Sequence, residues 1–369
     1  MNTSLYFHRF VTKLAILFAS LFTFSGCIME DLPECPPDPE TGKIWLNLSF
    51  TLHEQEDGAG HYTNADRFAE FARSVEVFIF DADGRFVKKQ TDSTGPFDPE
   101  TGCYRMPVEL LPGSYRAITY VNLSAEDAVC LLPEPVAGVT TIDQLRVQLS
   151  CLSRGNSTGQ LQPLFYGDTE PFTIEKAVGY DQEINIPSGL VRNTNRIHFA
   201  IAWRDKKTQK LCPYWTHADS TRIYIEDING SLDLDNHIAE GGDITYIPTY
   251  LTGKAAPVQS LSLSADDGDG GAAVLHAEAD MLRLLTSSAP RLRVCRLQRD
   301  GTEKQVYEAD LMKDFIARLY KTQEALDRRD LFSIDMVFEC EHTDPNESWI
   351  AIKLAIDGWV LVDNGDMDL

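Results

Sequence analysis

The chain has 369 residues, 43% hydrophobic and 24% charged, a globular balance that excludes a largely disordered polypeptide. Its 33 basic residues against 56 acidic ones leave a formal charge of −23, which argues against nucleic acid or anionic lipid headgroups as electrostatic partners, because both need clustered Lys and Arg. At roughly 100–200 residues per domain, the length predicts two domains, each able to bury its own core.

The first element in chain order is an address. Residues 1–26 carry Arg9 and Lys13 and no acid, and the run from Leu14 to Phe24 is apolar or small over eleven residues. That is short of the ~20 residues that cross a bilayer and fits the hydrophobic region of a secretory signal. The run ends in Phe24-Ser25-Gly26-Cys27, where small residues give a signal peptidase access to the backbone just before a thiol. This resembles a bacterial lipobox, with Phe24 where Leu is more usual. It predicts cleavage after Gly26 and acylation of Cys27, with more than one chain for stable anchoring. Removing 1–26 leaves 31 basic and 56 acidic residues, a charge of −25. The acidic pair Glu30-Asp31 resembles the surface-export signal of Bacteroidetes lipoproteins.

Residues 27–43 read as a lipidated tether, stiffened at Glu34-Cys35-Pro36-Pro37. A disulfide from Cys35 would fasten that tether to the first domain, its partner open. There are eight cysteines, so acylating Cys27 leaves seven, and at least one has no partner within the chain. No C-x-x-C occurs, so a zinc ribbon or thioredoxin-like site is unsupported.

Strands follow. Residues 44–52 place Ile44, Leu46, Leu48, Phe50 and Leu52 on one face. Residues 75–80 and 85–89 form a hairpin across Asp81-Ala82-Asp83-Gly84, and 103–108 and 114–121 are strands joined by Leu111-Pro112-Gly113. Short helices are expected at 124–127 and 141–146, and a strand at 183–186 ends this half. The pattern restarts with a strand at 196–203 and a hairpin over 222–234 around Asn229-Gly230. A third hairpin turns at Asp300-Gly301. Leu311, Phe315, Ile316 and Leu319 give 311–320 a helical spacing, and 331–339 and 350–362 are closing strands. Many short strands with few helices predict an all-β chain with minor helices, built as two β-sandwiches with domains at 44–189 and 190–369.

Chemistry is sparse. Gly155-Asn156-Ser157-Thr158-Gly159 matches G-x-S-x-G, but its flanks read as loop rather than strand and helix. Gly268-Asp269-Gly270-Gly271-Ala272-Ala273 matches a dinucleotide fingerprint, yet Asp266, Asp267 and Asp269 would repel a pyrophosphate. These aspartates, and Asp81-x-Asp83, lack the bidentate Glu of a calcium loop. His217 and Asp219 form a polar loop pair, and no H-E-x-x-H occurs. Catalytic, cofactor and metal residues are therefore predicted to be none, with no small-molecule substrate and no enzyme activity. Trp45, Trp203, Trp215, Trp349 and Trp359 are candidates for an exposed aromatic platform, Trp215 being the one in a loop context.

Several segments together resemble one family. Cys27-Ile-Met-Glu-Asp-Leu-Pro-Glu-Cys35-Pro-Pro is similar to the start of the FimB-type fimbrial anchors of Bacteroidetes. Residues 74–87, 111–122, 190–199 and 356–360 resemble its early hairpin, the strand after it, the start of its second domain and its closing strand. The resemblance implies two tandem transthyretin-like β-sandwiches. It implies a lipoprotein that anchors a fimbria to the cell surface, touches fimbrial stalk subunits, and assists assembly or length control by β-strand addition. Ile350, Ile352, Leu354 and Ile356 alternate as a strand that either donates to a neighbour or closes this protein's own sheet. Stalk subunits are processed after an Arg; Arg67 and Arg73 stand in a plausible place, but an anchor is expected to keep its lipidated segment. The alternative is a surface lipoprotein that binds glycan or host protein.

Overall fold

The computed structural model describes residues 42–55, 62–95, 97, 104–123, 128–157, 160–175, 183–212, 217–251, 274–341 and 349–363. It is all-β with few helices, as the turn spacing predicts. The acylation and tether residues Cys27 and Cys35, the segment 124–127, the acidic loop 266–273 and Trp215 lie outside the described residues.

The first half contains β1 (Gly42–Gln55), β2 (Tyr62–Asp66), α1 (Phe68–Phe71), β3 (Val75–Asp81), β4 (Phe86–Asp92), β5 (Tyr104–Leu110) and β6 (Gly113–Val121). It continues with β7 (Val129–Leu132), β8 (Arg146–Leu149), β9 (Asn156–Ser157), β10 (Phe165–Asp168), β11 (Phe172–Ile174) and β12 (Glu183–Arg192). One curled sheet runs β2-β1-β12-β10-β6-β3-β4, with β5 on β1 and β11 on β6. Its inner face gathers Leu46, Leu48, Val75, Val77, Ile79, Val108, Ala117 and Phe165 into one core. Its outer face carries Phe78, Phe80, Ile118 and Tyr120, covered by Leu145 and Val147. β3 is thus buried on both sides, which is why its sequence is an almost unbroken apolar run. Glu76, in the middle of it, is fully buried and pairs with Lys89 at 2.5 Å.

The β3–β4 hairpin forms as expected. The Asp81 carboxylate accepts from the backbone N–H groups of Asp83 at 3.0 Å and Arg85 at 2.8 Å, and Gly84 supplies φ of +72°. Asp81-x-Asp83-Gly84 is therefore turn chemistry. β5 and β6 follow one another in sequence but pair with β1 and β3 respectively, so Leu111-Pro112-Gly113 arches across the core. A capping box of Thr141 and Gln144 opens a 3-10 turn at Ile142–Gln144.

The second half contains β13 (Thr194–Asp205), β14 (Thr221–Asp227), β15 (Ser231–Asp233), β16 (Ile244–Tyr246), β17 (Thr249–Leu251), β18 (Leu275–Leu282), β19 (Arg291–Leu297) and β20 (Glu303–Asp310). β21 (Leu331–Cys340), β22 (Ile350–Ile356) and β23 (Trp359–Asp363) follow. A sheet in the order β17-β18-β13-β21-β22-β23 packs on another in the order β20-β19-β14-β16-β9. Ile197, Phe199, Ile201 and Trp203 alternate inward from β13 against Ile223, Ile225, Leu292 and Val294. The expected helix after β20 is present, but it opens as a π-helix over Leu311–Ile316 and is α only over Ala317–Leu319. Asp310 caps it, accepting from the Lys313 N–H at 2.8 Å, while Leu311, Met312, Phe315 and Ile316 are buried.

Two expectations change. The hairpin over 222–234 does not form: β14 pairs with β16 and β19, while β15 leaves to pair with β8 of the first half. Asn229 is fully buried, donating to the carbonyls of Leu282 at 2.8 Å and Arg283 at 3.1 Å and accepting from the Tyr246 hydroxyl at 2.8 Å. Gly230 is required by close packing, because a Cβ there would lie 2.7 Å from Leu152 Cδ1 and 2.8 Å from the Gly242 carbonyl. The closing segment 350–362 is two strands, not one, turning at Asp357-Gly358 with φ of +45° and +81°.

Candidate functional site

The N-terminal strand occupies a central place. β1 lies between β12, parallel from Lys43↔Glu183 to Phe50↔Leu190, and β5, antiparallel from Gly42↔Leu110 to Leu48↔Tyr104. Its far end, Thr51 to Gln55, pairs with β2. Leu46 and Leu48 are fully buried in the first core, and Arg105 stacks on the Trp45 indole at 4.5 Å. Arg67 and Arg73 follow these strands. Arg67 is bound to Glu70, and the Arg73 backbone N–H donates to Asn122 Oδ1 at 2.7 Å. Cutting after either arginine would separate β1 and β2 from the rest of the sheet.

The two halves meet at Asn193, the single residue between β12 and β13. Asn193 Nδ2 donates to Asn236 Oδ1 at 2.6 Å, and Asn236 Nδ2 returns the bond to Asn193 Oδ1 at 3.0 Å. Thr194 Oγ1 accepts from the Leu164 N–H at 3.1 Å, and Asn195 Oδ1 from the Leu284 N–H at 2.8 Å. Arg196 grips Asp280 with both ends of its guanidinium, at 2.6 and 3.0 Å. Asp280 also accepts from the Leu161 N–H at 2.9 Å. The buried Arg283 forms a second fork on Asp327, at 2.8 and 2.7 Å, and donates to the Asn236 carbonyl at 2.9 Å. Satisfied on every side, these polar groups fix one geometry for the junction. The pairings β8–β15 and β9–β16 cross between the halves as well.

At the other end, Ile350, Ile352, Leu354 and Ile356 lie in β22, which is paired with β21 on one edge and β23 on the other. Ile352 and Ile356 are buried, Leu354 is half-buried and Ile350 is exposed. β23 is the edge strand of this sheet, and Trp359, Val360 and Val362 are exposed on it. Trp359 is 66% accessible, whereas Trp203 and Trp349 are buried. The exposed indole among the described residues stands on an edge strand and not in a loop. An Asp-Gly turn in the preceding residues was the signal for it.

The remaining motifs are structural. Ser157 is buried in β9, paired with Tyr246, and Gly155 ends a 3-10 turn with φ of +71°. A strand stands where the nucleophile elbow needs a turn into a helix. His217 is buried between Trp203 and Trp349, with ring centroids 5.6 and 5.2 Å away. Asp227, at the end of β14, is buried, and burial pushes its carboxyl up to about 6. Among the described residues no helix is long and apolar enough to cross a membrane.

Residues 32–365 match the family model described as fimbrillin-A associated anchor proteins Mfa1 and Mfa2. A comparison with curated proteins finds no match. Among solved structures, the fimbrial anchor protein Mfa2 from Porphyromonas gingivalis aligns with a TM-score of 0.62 at 18% identity, over 87% of this chain and 100% of that one. A candidate adhesin from Bacteroides thetaiotaomicron aligns with a TM-score of 0.63 at 22% identity, over 89% and 99%. A candidate polysaccharide-binding protein from the same species gives 0.61 at 21% identity, over 86% and 96%. At these identities the likeness shows a shared fold.

Proposed function

Since the chain belongs to the family of fimbrillin-A associated anchor proteins, we propose that it holds a fimbria to the outer membrane through lipid on Cys27. In this reading 1–26 is the signal, 27–43 the tether, and 44–189 and 190–369 are two transthyretin-like sandwiches. The family is one of anchors and not of enzymes.

The observation that carries this reading is the position of β1. The tether runs straight into a strand buried in the middle of the first sheet, and that strand is parallel to β12 over eight registered pairs. β12 continues through Asn193 into β13. Tension from the membrane enters at the start of β1 and leaves at the end of β12. Two adjacent parallel strands pulled from opposite ends are loaded in shear, so their evenly spaced hydrogen bonds resist together rather than opening one by one. That suits a chain that must carry a fibre.

Retaining β1 also fills the slot between β5 and β12, so no strand from a neighbour is accepted there. The partner surface is then the C-terminal edge. Among the described residues β23 is the edge of its sheet and carries exposed apolar side chains, which is what strand addition uses, with β22 (Ile350, Ile352, Leu354, Ile356) as the strand behind it. Partners are fimbrial stalk subunits. The test is metabolic acyl labelling followed by surface pull-down. Labelled protein that brings fimbrial subunits supports the anchor. Labelled protein that brings glycan alone supports the second reading, a surface glycan or host-protein binder, for which the exposed Trp359 is the observation in favour.

A further inference from the structure

Cys212 and Cys340 stand 128 residues apart in sequence, yet their sulfurs are 3.4 Å from one another. Both thiols are buried, in the same core as Trp203 and Trp349. The topology explains the meeting. Cys340 ends β21 in register with Asp205 of β13, and the chain leaving β13 turns back so that the Cys212 N–H donates to the Trp203 carbonyl at 2.8 Å. Both residues therefore sit on the inward side of the same end of one sheet.

We propose that Cys212 and Cys340 form a disulfide in the exported protein, an inference that rests on the lipoprotein reading above because that reading places the chain in an oxidising compartment. A disulfide needs the sulfurs at about 2.05 Å, a closure of about 1.4 Å, the scale of a side-chain torsion change. The bond forms by thiol–disulfide exchange with a disulfide-bearing oxidoreductase. One thiolate attacks the carrier disulfide and makes a mixed disulfide. The second thiol then displaces the carrier, which departs as a dithiol holding both protons and both electrons. Because the two sulfurs are buried in the finished fold, the exchange happens while β21 is still docking, and the bond is afterwards sealed from reductant. It closes the second half, from β14 to β21, into one covalent ring.

The ligand atoms of His217, Cys212 and Cys340 all lie within 4.8 Å of one another, which is also the reach of a metal. A closed structural zinc site takes four donors. Among the described residues this group supplies three, all buried. Two thiolates at ~2.3 Å on one tetrahedral zinc stand about 3.8 Å apart, more than the 3.4 Å between these sulfurs, so we assign the pair to a disulfide.

The test uses the full-length acyl-labelled protein, extracted from outer membranes in the presence of an alkylating trap and digested without reductant. The expected result is a single joined peptide pair containing Cys212 and Cys340. In Cys212→Ser the Cys340 thiol becomes alkylatable after unfolding, and the thermal midpoint falls by roughly 5–15 °C. Alkylation of both residues in acyl-labelled protein overturns the inference alone, as does one equivalent of zinc or copper(I) released with both thiols free. Absence of the acyl label overturns the lipoprotein reading itself.

Discussion

Asn229-Gly230 and Asp357-Gly358 carry the same dipeptide turn signal, and they do different things. At Asp357-Gly358 both residues take positive φ and the chain reverses into β23. At Asn229-Gly230 the amide is fully buried among backbone carbonyls and a tyrosine hydroxyl, and the chain crosses to another sheet. What decides is burial of the side chain against partners far away in sequence, which a dipeptide does not encode. Asn229→Ala is expected to cost about 2–4 kcal/mol, because it leaves buried carbonyls and a hydroxyl without their partner, read as a lower denaturant midpoint at unchanged slope. Asp227 gives a prediction in pH. Its folded pKa of about 6 lies above the ordinary 3.8, so the folded state holds a proton that the unfolded chain has lost. Its favourable contribution is complete below pH ~4 and disappears as pH rises to ~6, about 3 kcal/mol at most. Asp227→Asn should flatten that slope and raise stability at neutral pH. Unfolding curves at a series of pH values check this, and an identical slope in the variant would refute the assignment.

At the scale of elements, the readable ones have simple periods. The inward residues of β13, the hairpins at Gly84 and Gly301, and the apolar run of β3 follow from alternation and turn chemistry alone. The strand at 44–52 was legible, but not its pairing with β12, about 140 positions later in the chain, which is set by tertiary packing. Leu48→Ala is expected to destabilise the first sheet by about 2–5 kcal/mol, since the site is closed on all sides. If instead the β1 slot were naturally emptied and refilled by a neighbour, the isolated chain would tolerate this change with little loss, a comparison that thermal unfolding makes directly. On β23, Trp359→Lys changes an exposed edge residue and should leave the thermal midpoint within ~1 °C while reducing recovery of fimbrial subunits in pull-down. Unchanged recovery would move the partner surface elsewhere.

For the whole molecule, the sequence resemblance carried by 74–87, 111–122 and 190–199 is borne out by the family match over 32–365. The stretch from Arg192 to Arg196 is marked in the sequence only by that resemblance, and its contacts are set by Asn236, Asp280 and Leu284, 43 to 89 positions away. These groups weld the halves where, in the proposed reading, tension has to pass. Asn193→Ala and Asn236→Ala in a double-mutant cycle should show a coupling of roughly 1–3 kcal/mol, and additive losses would mean that the reciprocal amide pair is not shared. The excess of acid gives the molecule no electrostatic hold on a bilayer, so in the proposed reading attachment falls to the lipid and to the strand it leads into. The most direct measurement is therefore the N-terminus of the protein recovered with intact fimbriae. The expected N-terminus is an acylated Cys27 continuous with β1 and with the rest of the chain. A protein beginning just after Arg67 or Arg73, lacking β1, would contradict it.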